Sequence, residues 1–294
     1  MRKNIKKLDL LVPDAYEEML MPLRGAETGV WAKLDSLLGG WRPREYTILC
    51  GPTGAGKTAW LAALADKLVG NGVPTYVASV ETGPVDFVKR MMSARAKRNW
   101  NRGNAVPLDQ IQAFQSKEPG YSRQPLYLSL YEDRIPNKEL LDDIKFAVEE
   151  HGVKVAILDN LNFFMEVSRS SDTIIEMDRV VHDMIIFCKK VDVHIICVMH
   201  PKKTDHGQVL SEFDIKGSST AVQESHNVLL YNKLSKDELE ADVTGRLRNY
   251  RFLTIAKCRR RGDAVGSTIS YRGIEGVDFI EENPPNYGNT DTRY

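Results

Sequence analysis

The stretch Tyr46–Trp60, YTILCGPTGAGKTAW, constrains this 294-residue chain more than any other. A short apolar run breaks into Gly51-Pro52-Thr53-Gly54-Ala55-Gly56-Lys57-Thr58, and a helical pattern follows from Ala59 to about Val69. This is G-x-x-x-x-G-K-T in the setting it requires, a strand before and a helix after. The glycines let successive backbone N–H groups turn toward phosphate oxygens, and the helix N-terminus adds its positive dipole. Lys57 is placed to reach the β- and γ-phosphates, and the Thr58 hydroxyl to hold Mg²⁺. A nucleoside triphosphate site is therefore expected.

Around this site the apolar segments alternate between strand and helix patterns. Strands are expected at Thr75–Val80, Leu126–Leu130, Val153–Leu158, His194–Met199, Asn227–Tyr231, Arg251–Ala256 and Thr268–Tyr271, and helices at about 84–98, 137–150 and 172–190. Alternation of this kind implies an α/β fold, a mostly parallel central sheet flanked by helices. The last three strands follow one another closely and are expected to add in antiparallel fashion at one edge. Residues 26–282 form the expected domain. Residues 1–25 hold a short amphipathic helix opened by Pro13, placed to pack on its own domain or on a neighbouring subunit, and 283–294 read as a disordered tail.

Formal net charge is zero, so any polyanion binding must come from a local patch. The four cysteines, Cys50, Cys188, Cys197 and Cys258, form no C-x-x-C and read as reduced core residues. No run has the length of a membrane span, which fits a soluble protein of a cytoplasm-like compartment.

Ligands in open α/β sheets bind beyond the carboxyl ends of the strands. Asp159 ends the strand VKVAILD, where a carboxylate either holds Mg²⁺ or caps the next turn. Glu81 ends the second strand, as a base for the attacking water or as a solvated carboxylate near a helix start. His200 ends the fifth, as a γ-phosphate contact or a packing residue. Beyond it Lys202, Lys203 and Lys216 lie on a polar loop, either as solubilising charges or as contacts to a nucleic-acid backbone. Lys257 and Arg259 share a face of a continuing strand and make either a basic sheet edge or a finger to a neighbour's γ-phosphate.

Five stretches resemble the RecA-like P-loop ATPase domain of hexameric replicative helicases of the DnaB type, above all the Twinkle and phage primase–helicase branch. They are GPTGAGKT (51–58), ILDNLNFFM (157–165), VMHPKK (198–203), GSSTAVQESHNVLL (217–230) and AKCRRRGDAVG (256–266). The resemblance implies ATP and Mg²⁺ as cofactors, with Lys57 and Thr58 on phosphate and metal and Asp159 as the metal-associated carboxylate. It implies Glu81 as catalytic base, His200 as γ-phosphate sensor, Lys202 on DNA, Arg259 as a trans arginine finger with Lys257 beside it, and Tyr271 stacked on the nucleotide base. It further implies a hexameric ring moving 5′→3′ on single-stranded DNA, with a primase, polymerase or single-strand binding protein as partners and no membrane contact. Only about 25 residues precede the ATPase core, so a primase-like N-terminal domain is expected to be absent and priming to fall to a separate protein. A RecA-like recombination ATPase and a KaiC-like regulatory ATPase share the fold and remain alternatives.

Overall fold

The computed structural model describes residues 6–20, 24–165, 173–202, 209–216, 219–242 and 245–284. Among these, nine strands form one sheet: β1 (Tyr46–Cys50), β2 (Thr75–Ser79), β3 (Leu126–Leu128), β4 (Val155–Asp159), β5 (His194–Met199), β6 (Asn227–Asn232), β7 (Tyr250–Cys258), β8 (Thr268–Ile274) and β9 (Asp278–Glu281). Their spatial order is β3-β2-β4-β5-β1-β6-β7-β8-β9. The helices are α1 (Val12–Leu20), α2 (Ala32–Leu38), α3 (Lys57–Gly70), α4 (Pro84–Ala96), α5 (Leu108–Lys117), α6 (Asn137–His151), α7 (Thr173–Val191), α8 (Ser219–Glu224) and α9 (Lys236–Ala241).

Strands β1 to β6 pair in parallel and β7, β8 and β9 antiparallel. The expected antiparallel edge is present, but its membership differs. Asn227–Asn232 is a parallel core strand against β1, and the third antiparallel strand is β9, which has only four residues.

Strands β1, β2, β4 and β5 are buried along their whole length, because helices cover both faces; this is why their sequences are mostly apolar rather than alternating. Alternate residues serve opposite layers. Leu49, Val77, Ile157 and Val198 pack with α2, α3 and α4, whereas Ile48, Ala78, Leu158 and Cys197 pack with α6, α7 and α8. Helix α3 is buried nearly all round. Its alanines, Ala59, Ala62, Ala63 and Ala65, let it lie close to the sheet, and Trp60 stacks on Trp31 with ring centroids 5.2 Å apart.

All four cysteines are buried and unpaired. No helix among the described residues is long and apolar enough to cross a membrane. Helix α1 buries none of its residues and leaves Tyr16, Met19 and Leu20 exposed. It is tied to the domain by an ion pair between Glu18 and Arg260, 3.2 Å long. The tail from residue 285 lies outside the described residues.

Candidate active site at the C-terminal rim of the sheet

The strand order β2-β4-β5-β1 makes neighbours of four strands whose carboxyl ends carry Glu81, Asp159, His200 and the glycine loop. The sequence places these groups far apart; parallel pairing puts them on one rim.

The loop from β1 to α3 needs its glycines for two reasons. Gly54 and Gly56 have φ of 70° and 96°, which disfavours any residue with a Cβ. At Gly51 a Cβ would lie 2.5 Å from the carbonyl oxygen of Tyr231. Arg251 on β7 steadies the loop by donating from Nε to the carbonyl of Ala55 at 3.0 Å. Sequence reading overlooked this residue, since its link to the loop depends on β6 and β7 lying beside β1.

Lys57 opens α3, and its ammonium donates to the carbonyls of Gly51 at 2.7 Å and Pro52 at 3.0 Å. Burial lowers its pKa, opposed by the nearby Asp159. Thr58 donates from Oγ1 to Oδ2 of Asp159 at 2.8 Å. Asp159 is 1% exposed, and burial pushes its carboxyl up to about 6 against the Thr58 hydrogen bond. A hydroxyl and a carboxylate converging at the N-terminus of a phosphate-loop helix are the hard oxygen donors that Mg²⁺ prefers. Among the described residues no three His, Cys, Asp or Glu side chains form a cage that could hold a metal. The donor set thus fits a cation shared with phosphate oxygens rather than an all-protein site.

Asn160, which follows Asp159 through a cis peptide bond, was not singled out in the sequence. Its amide nitrogen lies 2.7 Å from Oε2 of Glu81 and 3.1 Å from Nε2 of His200. It therefore joins the residues expected to act as base and as sensor. The signal available in the sequence was its position, one residue past a strand-ending aspartate. Burial, then the neighbouring Lys57, lowers the pKa of His200 and favours the neutral imidazole.

The loop after β5 is closed at its base. Pro201 bridges Ile215, Lys202 N–H donates to the Asp214 carbonyl at 2.6 Å, and Lys216 N–H donates to the His200 carbonyl at 3.0 Å. Lys202 and Lys216 are exposed on these paired ends, directly beyond His200. Lys203, and Gly217 and Ser218 of the next motif, lie outside the described residues.

Lys257 and Arg259 do lie on one side of the β7 extension, and both point at the C-terminus of α8. Lys257 donates to the carbonyls of Val222 and Gln223 at 2.8 and 2.6 Å. Arg259 donates to those of Gln223 and Glu224 at 2.6 and 2.9 Å. Within one subunit they cap that helix, where its negative dipole end favours cations.

Tyr271 requires correction. It has no exposed surface and packs on Trp31, with centroids 5.0 Å apart, and on Trp60 at 6.0 Å. A ring enclosed by two tryptophans cannot stack on a nucleotide base.

Comparison with known proteins agrees with this architecture. The AAA domain family matches residues 15–206, well over half of the chain. A probable replicative DNA helicase of Trieres chinensis is 21% identical over 254 residues, covering 80% of this chain and 54% of that protein. The chain thus spans about half the length of that relative. Among solved structures, the ATPase domain of G40P superposes with a TM-score of 0.78 at 17% identity, over 95% of this chain and all of that one. A DnaB-like replicative helicase, determined with its interactions with primase, gives 0.74 at 18% identity over 95% of this chain and 68% of that one. The RadB recombinase gives 0.56 at 18% identity, over 88% of this chain and 100% of that one. The chain belongs to the AAA domain family, and its fold is that of the RecA-like ATPase domain of DnaB-type replicative helicases.

Proposed function

We propose that this domain is the motor of a ring-forming replicative helicase that hydrolyses ATP at subunit interfaces and moves 5′→3′ along single-stranded DNA. The observation that carries the reading is the adjacency on one rim of the phosphate loop, Asp159, Glu81 and His200, with a lysine-bearing loop directly beyond His200. Lys57 and the N-terminal amides of α3 would hold the phosphates, and Thr58 and Asp159 would hold Mg²⁺. That cation, when bound, neutralises charge on the phosphate oxygens. Glu81 orients the attacking water and accepts its proton. Arg259 of a neighbouring copy, with Lys257 beside it, leaves the carbonyls of α8 to stabilise the transferring phosphoryl group.

The free apolar side chains of α1 support docking of residues 1–25 on the next subunit rather than on their own domain. Lys202, Lys203 and Lys216 would face DNA phosphates, and a primase is the expected partner. The similarity to RadB favours one second reading, an ATPase that pairs strands without unwinding them.

A forked duplex with a 5′ single-stranded tail, ATP and Mg²⁺ tests the proposal. The wild-type chain should separate the strands, and Lys57→Ala should not. Strand pairing without separation would establish the second reading, and an ATPase indifferent to DNA would defeat both.

A further inference from the structure

Glu81, Asn160 and His200 stand at the ends of three adjacent strands, β2, β4 and β5, and only the middle one of the three has donors facing both ways. Asn160 is 3% exposed. Its orientation follows from its third contact, in which Oδ1 accepts from the backbone N–H of Asn162 at 3.1 Å. A flipped amide would set NH₂ against that N–H and its oxygen against the Glu81 carboxylate, so the assigned orientation alone satisfies all the partners. The two amide hydrogens are then committed, one to Oε2 of Glu81 at 2.7 Å and one to Nε2 of His200 at 3.1 Å.

This arrangement dictates the tautomer of His200. An Nε2 that accepts from an amide has its proton on Nδ1, and Nδ1 is buried with no hydrogen-bond partner among the described residues. The ring therefore has one nitrogen engaged by Asn160 and one donor unused. Any rotation that brings His200 to a new partner strips Asn160 of an acceptor. A buried amide hydrogen left without an acceptor keeps its full desolvation penalty, which favours a shift of the amide and with it of the Glu81 carboxylate.

We propose that Asn160 is a positioning residue that couples the general base to the sensor: its amide holds Glu81 in register with His200, so that a change at either side chain is felt by the other. This inference rests on the ATPase reading above and deepens it. It assigns to Asn160 the link between the Glu81 carboxylate and the His200 strand end from which the lysine loop starts.

Three variants test it: Asn160→Ala, His200→Ala and the double variant, each measured for nucleotide affinity by equilibrium binding and for turnover with and without single-stranded DNA. Asn160→Ala should bind nucleotide within about twofold of wild type and lose about tenfold in turnover, the scale of one lost buried hydrogen bond to a charged group. The double variant should fall no further than the worse of the two single variants. Asn160→Asp, which keeps the shape and removes both donors, should be as slow as Asn160→Ala. Turnover losses that multiply in the double variant would overturn the coupling, as would an affinity loss equal to the turnover loss or full activity in Asn160→Asp. The cycle can be run on nucleotide alone, so a wild-type chain that hydrolyses ATP but ignores DNA defeats the helicase reading while still judging Asn160. A wild-type chain with no hydrolysis defeats both.

Discussion

Titration of His194 should cost the domain stability in mild acid. This histidine opens β5 at the amino end of the strands, opposite the catalytic rim, and is fully buried. Its Nδ1 donates to the carbonyl of Arg42 at 2.7 Å, so its Nε2 accepts from the Thr47 hydroxyl at 2.8 Å. Thr47 Oγ1 also accepts from Asn227 at 3.1 Å, and Asn227 donates to Glu45 at 3.2 Å. Burial lowers the pKa of His194 from 6.5 to about 3, outweighing the Arg42 hydrogen bond that raises it. The folded pKa is depressed, so the unfolded chain binds a proton that the folded one refuses. Stability is fully present above pH 6.5 and is lost as the pH falls toward 3. With each pH unit in that interval worth about 1.4 kcal/mol, the loss between about pH 7.5 and pH 5 is about 2 kcal/mol.

Asp159 acts in the opposite sense. Its folded pKa is raised from 3.8 to about 6, so without metal it returns about 1 kcal/mol over the same interval as it protonates. The share due to His194 is therefore read as the difference between wild type and His194→Gln, by urea unfolding at about pH 7.5 and about pH 5 in EDTA. Wild type should lose about 2 kcal/mol more than the variant, equivalent to about 4–8 °C in melting temperature for a domain of this size. Equal losses in the two proteins would refute the claim that His194 is held neutral by the fold.

Three shorter tests address the rest of the molecule. Trp60→Ala removes a fully buried ring stacked on Trp31 and should destabilise the domain by about 3–5 kcal/mol; a loss under about 1 kcal/mol in urea unfolding would contradict the packing described. Lys202→Ala should weaken single-strand binding and lower the slope of log affinity against log salt by about one; an unchanged slope removes Lys202 from the DNA path. If Arg259 acts in trans, turnover per subunit should collapse on dilution to monomer, by up to about 10³–10⁵, and flat turnover down to monomer would exclude that role.

The parts of the fold that were legible in the sequence are those fixed by local pattern. The loop at 51–58 is read from its spacing, and Glu81, Asp159 and His200 are visible because each closes an apolar run that parallel pairing buries. Helix α9 was also within reach, since Ser235 and Glu238 make a capping box, with Ser235 Oγ accepting from the Glu238 N–H. What failed depends on neighbours distant in sequence. Tyr271 lies on an alternating strand and reads equally well as a surface residue until Trp31, Trp60 and β9 close over it. The short β9 follows a turn at Glu275-Gly276 with only Phe279 and Ile280 as apolar strand residues, too little for an alternation to show. Asn160 gains its place solely because β4 lies between β2 and β5.

The two ends of the sheet satisfy their polar groups by opposite means, which explains why one resists reading and the other invites it. At the amino end, His194, Thr47, Asn227 and Glu45 bond to one another and to core backbone, and Glu45 also pairs with Arg42 and Arg260. At the carboxyl rim the charged groups lean on groups that chemistry can exchange. Lys57 bonds to carbonyls of its own loop, Thr58 to Asp159 and Glu81 to Asn160. Each of these contacts offers about what a phosphate, a cation or a water would offer in its place, so exchange need not leave a buried charge unpaired. A rim built this way binds by substitution, and its net affinity for a triphosphate is set by the difference between two hydrogen-bonded states rather than by the sum of the new contacts. Arg259 stands apart from that rim, at the amino end of the parallel strands, where it bonds to the α8 carbonyls of its own subunit. If it acts in trans, its departure uncaps the helix that follows Lys216.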